Sequence, residues 1–186
     1  MFLYTYLNVH NDQRKQIYSM SKASILGLAL LALSMAYLLQ SQLEEKILYL
    51  GVLLHLVVLI FRSYIIYLYK KIPYSSNYRW MVLFTFGAFL SGLVWSLSAV
   101  YIYKFISIEH QFLIYAITIG IAGVGMASLS AVLVTYLAFL VPLTFPLILW
   151  LLLQEQEVYY VGAVLYSIGI VYYIVTAYRM FYNQKK

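Results

Sequence analysis

The chain has 186 residues, 65% of them hydrophobic and 10% charged, with a net charge of +6, a mean hydropathy of +0.86 and no cysteine. Soluble domains average about 45–50% apolar and about 25% charged, so a chain this short cannot hide its apolar surface from water, and its solvent is expected to be lipid. The lack of cysteine excludes disulfides and thiolate chemistry, and the basic residues punctuate apolar runs instead of forming the stripe that nucleic acid requires.

In chain order, residues 1–22 (MFLYTYLNVHNDQRKQIYSMSK) are polar for too long to precede a cleavable signal core, and no small-residue cleavage site follows. They are expected to be a cytoplasmic segment ahead of a retained anchor. Six runs then approach the roughly 20 residues needed to cross a bilayer: Ala23–Gln40, Ile47–Tyr69, Trp80–Tyr103, Phe112–Leu133, Val134–Leu153 and Val158–Phe181. The fourth and fifth have no charge between them, so their separation predicts a very tight turn near Ser130–Thr135. The fold class is therefore an all-α integral membrane protein, a six-helix bundle over residues 23–181, with 182–186 as a cytoplasmic tail.

Orientation follows from lysine and arginine in the short loops. With the N-terminus inside, the inner segments hold Arg14, Lys15, Lys22, Lys70, Lys71, Arg79, Arg179, Lys185 and Lys186, against Lys46 and Lys104 outside. An even number of spans puts both termini in the cytoplasm. The outer loops SQLEEK, KFISIEHQ and QEQE are too short to capture a large ligand. An external stimulus must then be small, lipidic or physical.

Two ionisable groups interrupt the second span. His55 and Arg62 are seven residues apart, so they share one helix face about 10 Å apart along the axis. A charge at membrane depth is costly and survives by facing the interior, by pairing or by snorkelling. No carboxylate lies within any span, so the partners of Arg62 must be hydroxyls, carbonyls, a phosphate or a ligand anion. The two open readings for this face are a polar pocket, with His55 as a proton-sensitive group, and bland packing with Arg62 snorkelling.

In the third span Gly87, Ala88, Ser91, Gly92 and Ala99 form a small-residue face, with Trp95 packed in the bundle or lining a cavity. The fourth span repeats small residues at Gly120, Gly123, Gly125, Ala127 and Ala131, which predicts close packing; a narrow lane lined by Thr118, Ser128 and Ser130 is the alternative. In the fifth, Pro142 and Pro146 predict a kink whose freed carbonyls are re-satisfied by neighbours or by Thr144. His55, Arg62, Ser91, Trp95 and Thr144 are the pocket candidates, and Tyr178 with Arg179 would mark the inner end of the output helix. No mid-span lysine is placed for a retinal Schiff base, and neither H-E-x-x-H nor a nucleophile elbow is present. The residues imply no metal and name no cofactor.

The segment Arg79–Trp80–x3–Phe84–x2–Gly87–x4–Gly92–x2–Trp95 is similar to a known pattern. With Asp12–Gln16 before it, Arg62 late in the second span, a small-residue fourth span and Pro146 in the fifth, it resembles the six-helix MASE-type (membrane-associated sensor) input domains of bacterial GGDEF diguanylate cyclases and sensor histidine kinases. The resemblance covers nearly all of the chain. It implies a dimeric sensor of the bacterial inner membrane that signals through its last helix to a cytoplasmic domain in cis or trans. No GGDEF, EAL or kinase sequence follows Lys186, so no catalysis is expected of this chain, which would be an excised input module or a stand-alone relative. The competing expectation is a small oligomeric transporter or channel, and a scaffold role has no residue behind it.

Overall fold

The computed structural model describes residues 11–71 and 78–183, with the side chains of 11 and 12 left aside. Six helices follow in order: α1 Asn11–Leu39, α2 Glu45–Lys71, α3 Arg79–Tyr103, α4 Ile108–Leu129, α5 Leu133–Leu152 and α6 Glu157–Asn183. All six are long and apolar enough to cross a membrane. The expected hairpin between the fourth and fifth spans occupies residues 130–132, and α4 ends at Leu129, four residues before the expected boundary. Val132 takes up an extended conformation there, and α5 starts at the next residue.

α1 starts well before the apolar run at Ala23. No proline or glycine interrupts Asn11–Lys22, so the polar lead-in continues as helix. Its Ile17, Tyr18 and Ser21 are buried. Tyr18 stacks on Tyr69 with ring centroids 3.7 Å apart, packs against Phe84 and donates to the Trp80 carbonyl at 3.2 Å. This joins the start of α1, the end of α2 and the start of α3. Thr85 then bonds Thr135 at 2.8 Å, and Ser130 reaches Met180 of α6. Arg14, Lys15, Lys22, Lys70, Lys71, Arg79 and Arg179 therefore gather at one end of an up-and-down bundle.

At the opposite end lie Glu44, Glu45, Glu109, Glu155 and Glu157 with Lys46 and Lys104. Two glutamines tie the turns there. Gln42 accepts from the Ser107 amide at 3.0 Å and donates to His110 at 2.8 Å. Gln111 donates to the Tyr103 carbonyl at 2.8 Å and accepts from Tyr159 at 2.8 Å.

α3 and α5 share the largest helix–helix interface. Its crossing point is Gly92, where a Cβ would collide with the Phe139 carbonyl oxygen and lie 3.1 Å from the Leu143 amide nitrogen. Without a side chain the two backbones touch, which is how membrane helices gain dispersion energy when lipid supplies no hydrophobic drive. Tyr103, Tyr136 and Tyr166 are fully buried, with Tyr136 donating to the Ala122 carbonyl at 3.4 Å.

Candidate functional site

The polar face of α2 turns inward against α3. Arg62 is 4% exposed, and its Nη1 donates to Ser91 Oγ at 3.1 Å. Ser91 in turn donates to the Gly87 carbonyl at 3.0 Å. Room for the guanidinium stem comes from Gly87, where an added Cβ would stand 3.0 Å from Arg62 Cγ. The guanidinium thus points into the bundle, and the snorkelling alternative fails. Arg62 Nε and Nη2 are buried and meet no hydrogen-bond partner among the described residues. A guanidinium held by one neutral hydroxyl gains far less than the pairing that normally offsets burial of a charge.

Two turns further toward the acidic end, His55 Nδ1 lies 2.8 Å from the Gly51 carbonyl oxygen, one turn back on the same helix. A carbonyl only accepts, so Nδ1 carries the hydrogen. The imidazole meets the edge of Trp95 at 4.5 Å between centroids, and its Nε2 is buried without a partner among the described residues. The His55–Trp95 pair separates two voids. One of about 70 Å³ extends toward the acidic end between α1, α2 and α3, past Met35, Ala36, Leu48, Val52 and Ala99. The other, of about 10 Å³, lies beside Ser91, Leu59 and Val94.

The structure therefore brings His55, Arg62, Ser91 and Trp95 onto one α2–α3 seam and leaves Thr144 outside it. Thr144 Oγ1 donates to the Leu140 carbonyl of its own helix at 2.8 Å and lines neither void. It does not repair the proline break either. Pro146 has no N–H for the Pro142 carbonyl four residues back, and Ser96 of α3 supplies the missing donor at 2.6 Å.

The small residues divide. Gly92 and Gly87 pack as described. On α4 the close contact is at Gly125, where a Cβ would run into the Phe139 ring. At Gly123 a Cβ would stand 3.2 Å from the Tyr173 hydroxyl, whereas at Gly120 it would find nothing within 4 Å. Gly120 and Ala127 instead line an open groove of about 620 Å³ between α1 and α4, facing Ala23, Ser24 and Gly27. The close packing expected at these two positions is absent because α1 does not seat against that face. Thr118 and Ser128 donate to carbonyls of their own helix and Ser130 to Met180 sulfur, so their hydroxyls are engaged. Tyr178 is exposed on α6 and stacks on Tyr182, and Arg179 is also exposed.

Sequence reasoning passed over Gln42, Gln111 and Ser96. Glutamine in a short polar loop and serine in a span are both common, and only the fold shows which carbonyl each must satisfy. Among the described residues no three His, Asp or Glu side chains gather as metal ligands. No family model, curated protein or solved structure matches the chain.

Proposed function

We propose that the chain is a membrane-embedded sensory input module of a bacterial signal-transduction protein. In this reading it lies in the inner membrane as a homodimer with both termini in the cytoplasm, and it passes a small-molecule or bilayer signal through α6 to an output domain. One observation carries it: residues of the α3 pattern engage three different helices. Trp80 receives Tyr18 of α1, Gly87 admits Arg62 of α2, Gly92 seats the α5 backbone, and Trp95 meets His55 beside the larger void. α5 packs on α6 in turn. A displacement at the His55–Trp95 pair thus has a continuous packed route through α3 and α5 to α6, and tightly packed helices transmit such shifts with little compression.

The basic end of the bundle supports the orientation by the positive-inside rule. Reporter fusions at both ends test it, and activity of either reporter in the periplasm would overturn the reading. For output, the native downstream partner or a fused cyclase should lose its response when residues after Tyr178 are removed, with membrane insertion unchanged. Arg62→Leu should likewise insert normally and change the response, while Arg179→Leu mainly weakens anchoring. Equal, mild effects of the two would remove Arg62 from the mechanism.

A second reading, an oligomeric anion transporter, draws on the two partnerless nitrogens of Arg62, Nε and Nη2. It expects anion flux in liposomes that Arg62→Ala abolishes. The backbone contact at Gly92 and the engaged hydroxyls of α4 leave no polar lane among the described residues, which favours the input module.

A further inference from the structure

The void of about 70 Å³ between α1, α2 and α3 has walls that are apolar apart from Ser98, and its inner end is closed by the His55 ring beside Trp95. The Gly51 carbonyl takes the Nδ1 hydrogen, so in the neutral ring Nε2 carries only a lone pair. That acceptor is buried and has no donor among the described residues. The hydroxyl of Ser91 cannot serve, because its single hydrogen is given to the Gly87 carbonyl. Arg62 Nη1 donates to Ser91, and neither Nε nor Nη2 of Arg62 reaches the His55 ring. An acceptor kept from water in apolar surroundings carries a desolvation penalty until a donor arrives. Burying an acceptor in this way makes a site selective for molecules that bring the missing hydrogen, since analogues without it leave the penalty in place.

We infer that this cavity binds a small apolar molecule carrying one O–H or N–H donor, which bonds His55 Nε2 while its apolar body lies among Met35, Ala36, Val52 and Ala99. The inference rests on the sensory reading only for its purpose, since it gives that reading its ligand class. The volume limits the buried part. A dry cavity of about 150 Å³ accommodates benzene, so about 70 Å³ holds roughly half as much, a donor group with a few carbons. The void is not fully enclosed, so a longer apolar tail extends into lipid. A charged or polyhydroxylated ligand is disfavoured, because beyond His55 the walls present only the Ser98 side chain.

The test uses the full chain in phosphatidylcholine nanodiscs with Trp80→Phe and Trp150→Phe, so that Trp95 alone reports. The probes are 1-octanol and methyl heptyl ether, which share atom count and acceptor oxygen but differ in the donor. Octanol should change Trp95 emission saturably, with a midpoint about tenfold lower than that of the ether, the factor one hydrogen bond of roughly 1.4 kcal/mol supplies. His55→Phe should erase the tenfold difference. Ala36→Leu, which fills the cavity and leaves His55 intact, should abolish saturation by both probes.

Equal midpoints, no saturable change, a difference surviving His55→Phe, or binding surviving Ala36→Leu would each overturn the site. Donor-dependent binding without any change in downstream output would uphold the site and sink the sensory reading alone.

Discussion

Two places in the bundle use small residues and do opposite things with them. At the α3–α5 seam Gly92 brings two backbones into contact, and Ser96 beside it satisfies the carbonyl orphaned by Pro146. At the α1–α4 face Gly27 and Gly120 would meet nothing within 4 Å if given a side chain, and an open groove of about 620 Å³ runs between the helices. The α2–α3 seam stands between these extremes, since Gly87 abuts a side chain, Arg62, that is able to shift. A glycine in a membrane helix is therefore informative only together with what lies opposite it. A backbone atom cannot yield, a flexible side chain can, and lipid makes no demand.

The comparison breaks most readily at Gly92. Gly92→Ala should cost about 3 kcal/mol or more, at the upper end for overpacking because the obstacle is main chain. Gly92→Leu should leave no cooperatively folded bundle in detergent; a normal thermal transition for the Leu variant would refute the seam.

Next comes the proline repair. Ser96→Ala strands the Pro142 carbonyl and should cost about 1–2 kcal/mol. In a Pro146→Ala background, where a backbone N–H returns, the same change should cost less than about 0.5 kcal/mol. A double-mutant cycle with no coupling would mean that Ser96 is not the substitute donor.

Gly87→Ala should destabilise by about 1 kcal/mol through contact with the Arg62 stem, and Arg62→Ala should remove most of that cost. Equal effects of Gly87→Ala in both backgrounds would separate the two residues. Smallest of all, Gly120→Ala and Gly27→Ala should change stability by less than about 0.5 kcal/mol, or raise it slightly through helix propensity. A loss above 1 kcal/mol at either would show that the α1–α4 groove is occupied by packed protein.

Much of this architecture was legible in the residues. The six apolar runs, the tight hairpin near Ser130 and the separation of cations from carboxylates are all present in the order of residues and recur in the bundle. Hydropathy and length are local quantities, and a bilayer imposes them on each helix in turn. The shared face of His55 and Arg62 was legible too, because seven residues come close to two helical turns. The start of α1 lies ahead of the apolar run, because hydropathy finds where a helix enters lipid, not where its hydrogen bonds start.

The site was only half legible. Composition could offer Ser91, Trp95 and Thr144 as polar or aromatic partners, but not choose among them. The choice depended on the rotation of α3, which turns Ser91 to Arg62, Trp95 to His55 and Ser96 to the broken helix, and leaves Thr144 to its own Leu140.

By itself, then, the order of residues determined how many apolar spans form, which ends are charged and which α2 positions are too polar for lipid. Tertiary structure alone decided which glycine is a contact and which a gap, that Arg62 turns inward, and that the His55 ring closes an apolar cavity. The physical reason is that burial in lipid is a property of each segment, whereas van der Waals fit and hydrogen-bond satisfaction belong to pairs of segments and exist only once the helices have met.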